Sequence, residues 1–162
     1  MSSDVRRMAS THFDTFINAF DALDPTSRVL DGDEIVYPPN TEVDYESTPR
    51  NAVTFAWMGV DGVHYAILKV GGVVRDDSLV VQVSPMDSDD VTVLAGSFLE
   101  YLADGCEVSS EDMLGVIEAE RAGEQQLVPF LRERFDGSRL LDEHRTDTLN
   151  TRFEHLIERK VA

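Results

Sequence analysis

The residues best placed for chemistry in this 162-residue chain are Asp61, His64 and Tyr65, grouped at the turn Gly59-Val60-Asp61-Gly62. A histidine oriented by a carboxylate can serve as a general base. That role needs a nucleophile to activate, and the sequence identifies none nearby. The competing reading is a histidine hydrogen-bonded to its own turn, since buried polar groups readily find local partners. Trp57 and Tyr65 can likewise line a pocket with Asp61 and His64, or serve as core and sheet-face residues. The other histidines add little. His144 and His155 stand 11 positions apart, roughly 16 Å along a helix axis, too far to share an ion. Cys106 is the only cysteine, so an internal disulfide and a cysteine zinc cage are excluded, and a small buried hydrophobe is its expected role.

Acidic clusters are the second set. Asp76-Asp77 and Asp87-Ser88-Asp89-Asp90 punctuate the β-rich centre. A calcium loop over 87–90 is disfavoured, because Thr92 stands where the turn glycine belongs and Val91-Thr92-Val93-Leu94 reads as strand. No phosphate-cradling glycine loop, nucleophile elbow or H-E-x-x-H helix is present. The expected catalytic set, metal set and cofactor are therefore none. With 14 basic and 31 acidic residues the net charge is −17, which repels phosphate backbones and anionic lipid surfaces. A cationic partner would be drawn in, with an association rate that falls with salt. The same charge would also suit solvation in a salt-rich cytoplasm; only Lys69 and Lys160 represent lysine.

The elements that must position these residues follow from periodicity. Phe13, Phe16, Ile17, Phe20 and Leu23 form a helical stripe, capped by Ser10 or Thr11 and ended by Asp24-Pro25. Residues 25–51 read as an irregular approach with one edge strand around Ile35-Val36-Tyr37. Strands are expected over Ala52–Met58, Val63–Val70, Leu79–Val83 and Val91–Leu94, with a brief pairing at Val73-Val74. Gly59 to Gly62 supplies a tight hairpin turn. Three helical stripes come next: one around Phe98, Leu99 and Leu102, capped by Ser97 and stopped at Gly105; one behind Ser109-Ser110-Glu111-Asp112; and one over Leu127, Phe130, Leu131 and Phe135 with Pro129 near its start. Leu149, Phe153, Leu156 and Ile157 mark a last helix, with Arg159-Lys160 at its negative end. The order predicts one α+β domain over 1–162, with a central antiparallel sheet of about four to six strands flanked by N- and C-terminal helices. Its sheet and following helix are assigned to 48–105 and a helical part to 106–162. Met1 to His12 shows no leader pattern and no apolar run approaches ~20 residues, so a cytoplasmic location is the expectation.

Residues 48–105 resemble the central segment of SMI1/KNR4-type proteins, the SUKH superfamily. The resemblance rests on Thr48-Pro49, Val53-Thr54-Phe55-Ala56, Asp61-Gly62-Val63-His64-Tyr65, Val80 to Val83, Ser84-Pro85-Met86-Asp87 and the helix from Phe98 to Ala103. The chain departs from that family over residues 1–46, which lack its tryptophan- and glutamate-containing helical start. The resemblance implies a sheet flanked by helices, no catalytic residues, and an immunity-type protein that binds a cognate toxin, often a nuclease and hence basic. A regulatory scaffold for an endogenous protein, or a small-molecule-binding domain around Asp61, His64 and Tyr65, are the alternatives. On the partner-binding reading, Asp76, Asp77, Asp87, Asp89 and Asp90 make the contact. Alternate turns of a meander share one end, so the two acidic turns are expected to form one negative edge covering a cationic groove.

Overall fold

The computed structural model describes residues 10–41 and 45–160; the stretch from Met1 to Ala9, read above for a leader, lies outside them. Thr11 opens helix α1 (His12–Asp21) with a reciprocal cap. Its hydroxyl accepts from the Asp14 amide at 3.0 Å, and the Asp14 carboxylate accepts from the Thr11 amide at 3.2 Å. Six strands follow in a pure meander: β1 (Val29–Leu30), β2 (Asp33–Asn40), β3 (Ala52–Trp57), β4 (His64–Leu68), β5 (Val80–Val83) and β6 (Val91–Ala95). Their spatial order equals their chain order and every pairing is antiparallel. The architecture is α+β, with a central antiparallel sheet flanked by helices.

The sheet begins at Val29, earlier than the 48–105 segment assigned to it. Residues 25–51, expected to hold one edge strand, contribute two. The unforeseen one is the two-residue β1; the strand expected around Ile35-Val36-Tyr37 is β2, which runs on through Pro38 and Pro39. Proline cannot donate to a strand ladder, and both lie where the β2–β3 register shifts between Ile35 and Asn40, so no pairing is asked of them. The pairing expected at Val73-Val74 is a single bridge between Val70 and Val73.

One face of the sheet packs on α1, α2 (Phe98–Cys106), α3 (Ser110–Arg121) and α4 (Leu127–Arg134). A bulge between Thr54 and Ala56 gives β3 an extra residue, so Phe55 and Ala56 both join that core. Phe55 then meets Phe13, Phe16, Phe98 and Tyr101 edge-on at 5.5–6.0 Å. Each such aromatic pair adds roughly 0.5–1.5 kcal/mol beyond the area it buries. The other face carries Ala66, Leu68, Val81, Val83, Val91 and Val93 beneath Leu149, Phe153 and Ile157.

The last helix, α5 (Glu143–Phe153), starts before the expected stripe and stops short of it, passing into a 3-10 turn over Glu154–Leu156. It covers edge strand β6, where the Asn150 side chain accepts from the Val93 amide at 3.1 Å and satisfies a donor the sheet leaves open. Arg159 was expected at the negative end of this helix. It instead reaches Asp90 across the molecule with two contacts of 3.1 Å. Gly105 was expected to stop α2, but the helix continues through Cys106 and ends on Glu107, whose φ of 58° is left-handed.

Candidate functional site

The hairpin places His64 directly opposite Trp57, with the ring centroids 4.8 Å apart. Tyr45 stacks on the imidazole at 5.8 Å. The side chain is fully buried and both ring nitrogens are engaged: Nδ1 lies 2.7 Å from the Gly62 carbonyl oxygen, and Nε2 lies 3.0 Å from the Thr48 hydroxyl. A carbonyl can only accept, so Nδ1 carries the proton and Nε2 accepts from Thr48. Burial pushes the pKa below its ordinary value, outweighing the Gly62 hydrogen bond that raises it, and Lys160 lowers it further. This imidazole is a neutral structural post. Asp61 does not orient it; that residue sits exposed in the turn with a φ of 54°. Nor does Tyr65 share the site. It lies one position along the strand and points to the opposite face, among the helices. The four residues expected in one pocket are thus divided between two faces and a turn.

The acidic turns are divided too. Asp76 and Asp77 lie between β4 and β5, whereas Asp87, Asp89 and Asp90 lie between β5 and β6. These turns are successive, and successive turns of a meander fall at opposite ends of the sheet, so the single negative edge does not form. Asp76 is also committed internally, accepting from the His12 amide at 2.8 Å at the start of α1, where the helix dipole favours a carboxylate. Asp77 pairs with Arg75 at 3.1 Å and Asp90 with Arg159. Asp87 and Asp89 are exposed.

The turns that do share an end with 87–90 are Asp31-Gly32 and Gly59 to Gly62. Strands lie about 4.8 Å apart, so alternate turns stand roughly 10 Å from one another. This end displays Asp31, Asp61, Asp87 and Asp89, and three apolar side chains beside them: Met86 is 77% exposed, Val60 58% and Met58 38%. A cavity of about 180 Å³ opens at the same end, lined by Asp31, Asp33, Tyr65, Tyr101 and Phe135 together with Met58. Its carboxylates lie close enough to be felt. Burial, then Asp31, lifts the Asp33 carboxyl to about 6. Burial chiefly, with help from the same carboxylates, raises both tyrosine hydroxyls. Sequence reasoning missed Asp31, Asp33 and Tyr101. The signal available was the meander itself, which fixes which turns are neighbours. Cys106 is buried, and burial pushes its thiol up to about 11, far from a nucleophile's range. Among the described residues no three histidine, cysteine, aspartate or glutamate side chains are grouped to hold a metal ion. No family model, curated protein or solved structure matches the chain.

Proposed function

We propose that this chain acts by binding a cationic protein through the turn end of its sheet that carries Asp31, Asp61, Asp87 and Asp89. The observation that carries the reading is the exposure of Met58, Val60 and Met86 among those carboxylates. Exposed apolar groups rimmed by charge are the composition of an interaction surface, and methionine adapts its shape to a partner. Binding rather than catalysis is supported by His64, whose two nitrogens are both occupied and out of solvent reach. The resemblance to SUKH proteins gives the sharper form: an immunity-type protein that occupies the nucleic-acid groove of a basic, nuclease-like toxin, which must be cationic to hold its substrate.

Affinity capture from the source cell tests this with three baits: the unmodified chain, Asp61→Asn/Asp87→Asn/Asp89→Asn, and Asp76→Asn/Asp77→Asn. A basic protein retained by the first and third baits and lost from the second is the expected result. Equal retention by all three, or loss with the third alone, refutes the assignment of this end.

A further inference from the structure

We propose that the cavity between the β1–β2 turn, Tyr65 and Tyr101 binds an alkylguanidinium group, the head of an arginine side chain. This rests on the partner reading above only for the source of the group; the chemistry of recognition stands on the cavity alone. Tyr65 and Tyr101 are 8% and 5% exposed, and both line the space. Neither hydroxyl has a hydrogen-bond partner among the described residues, and neither is among the fully enclosed unpartnered atoms, so both remain accessible, on residues that line the cavity. The Asp33 carboxylate has no protein donor there either. Four acceptor groups therefore converge on one cavity: two phenol oxygens, Asp33, and Asp31, one of whose oxygens is held by the Gly137 amide at 2.7 Å. No lysine, arginine or histidine lines it.

That inventory selects the ligand. An anion would meet two carboxylates, and a neutral apolar group would leave four acceptors unmet. A hard metal ion needs a cage of six or more oxygens, whereas much of this wall is apolar, from Phe135, Leu94 and Leu140. Guanidinium supplies five donors in one plane, is weakly hydrated, and packs on aromatic faces. Tyr101 and Phe135 both line the space and supply aromatic rings there, packed on each other at 5.4 Å. An ammonium has three donors and is costlier to strip of water, so arginine is preferred to lysine. The raised carboxyl of Asp33 agrees: penalised by burial and then by Asp31, it lacks the cation that would hold it ionised.

The test is a calorimetric or NMR titration of the full chain at pH 7 with acetyl-arginine methylamide, n-propylguanidinium and acetyl-lysine methylamide. Both guanidinium probes are expected to bind and the lysine probe to bind more weakly. Tighter binding of the arginine amide than of propylguanidinium assigns the source to a protein side chain, and the reverse assigns it to a free small cation. Failure of both guanidinium probes to bind, or equal binding of the lysine probe, overturns the proposal. Tyr101→Phe should weaken the arginine probe about three- to tenfold, and Asp33→Asn about tenfold or more. The readout that separates binding from structure is stability. Tyr101→Phe removes a hydroxyl with no protein partner, so the unliganded variant should unfold at no lower urea concentration than the parent. A large loss of stability would make the hydroxyl structural and overturn its role here. Affinity should also fall between pH 7 and pH 5 as Asp33 takes up a proton beside Asp31, with Tyr65 and Tyr101 neutral throughout. Capture that depends on Asp61, Asp87 and Asp89 while the probes fail would sink the cavity inference alone. Probe binding without any captured partner would sink the surface reading alone.

Discussion

At position 64 the neighbours decide the proton. The Gly62 carbonyl fixes hydrogen on Nδ1, and the Thr48 hydroxyl fills Nε2 in a site from which water is excluded. Thr48→Val keeps the shape and removes the donor, leaving a buried nitrogen unmet, and should cost about 1–3 kcal/mol by urea unfolding. A change of a few tenths would mean that the contact contributes nothing. The folded protein resists protonation of this ring, so stability tied to it is present above about pH 6.5 and lost as pH falls, when the unfolded chain takes up the proton. His12 shifts in the same sense, and Asp33 in the opposite sense between about 4 and 6. Comparing the parent with His64→Gln isolates the one ring: the parent's stability advantage should shrink from pH 7 to pH 5. An advantage that grows instead would show that His64 is held charged. The turn-bonded histidine was legible in the sequence, because Asp61-Gly62-Val63-His64 places the ring beside its own turn. Its second partner was not, since Thr48 lies 16 positions away and only tertiary folding brings it there.

Glycines separate the two kinds of local signal at the scale of elements. Gly59 and Gly62 both have positive φ, 86° and 72°, as the hairpin turn requires. A Cβ on Gly59 meets nothing within 4 Å, whereas one on Gly62 would lie 2.7 Å from the Tyr45 hydroxyl oxygen. Gly59→Ala should therefore show backbone strain alone, about 1–2 kcal/mol. Gly62→Ala should exceed it, because the Tyr45 ring must also leave its stack on His64. Thermal unfolding of both variants checks this, and equal losses would remove the steric part. Such turn glycines can be read from sequence because the demand is local. Gly105 could not be. It looks like a helix stop, yet a Cβ there would fall 2.3 Å from the Phe135 ring, so its absence of side chain serves the packing of α2 against the residue that follows α4. The helical stripes were legible because burial repeats at 3.6 along each helix; strands β3 to β6 were legible as short apolar, β-branched runs bounded by turn residues, since β3 and β4 are buried on both faces. Strand β2 was legible at Ile35-Val36-Tyr37 but not through Pro38 and Pro39, because proline cannot donate to a ladder, while the pairing lapse that tolerates them belongs to the sheet.

Across the whole molecule, connectivity governs where charge ends up. Six strands in chain order send the β1–β2, β3–β4 and β5–β6 turns to one end, and the β2–β3 and β4–β5 turns to the other. The acidic clusters were visible in the sequence, but their partnership was not, because it depends on counting turns across the finished sheet. Asp76 and Asp77 belong with α1 and Arg75, and Asp31, Asp61, Asp87 and Asp89 share the end that also exposes Met58, Val60 and Met86. A net charge of −17 accelerates any encounter with a cation from every direction. Local contribution can still be separated from this global pull by comparing variants of equal charge. Asp61→Asn/Asp87→Asn and Asp76→Asn/Asp77→Asn both remove two charges, so each changes the long-range field by a similar amount. With the captured partner on a surface-plasmon chip, across a salt series, the first pair should slow association several-fold more than the second and flatten the salt dependence more strongly. Asparagine tolerates the left-handed backbone of Asp61, so the turn survives the change. Identical rates for the two pairs would mean that only net charge matters and that neither end is the docking surface.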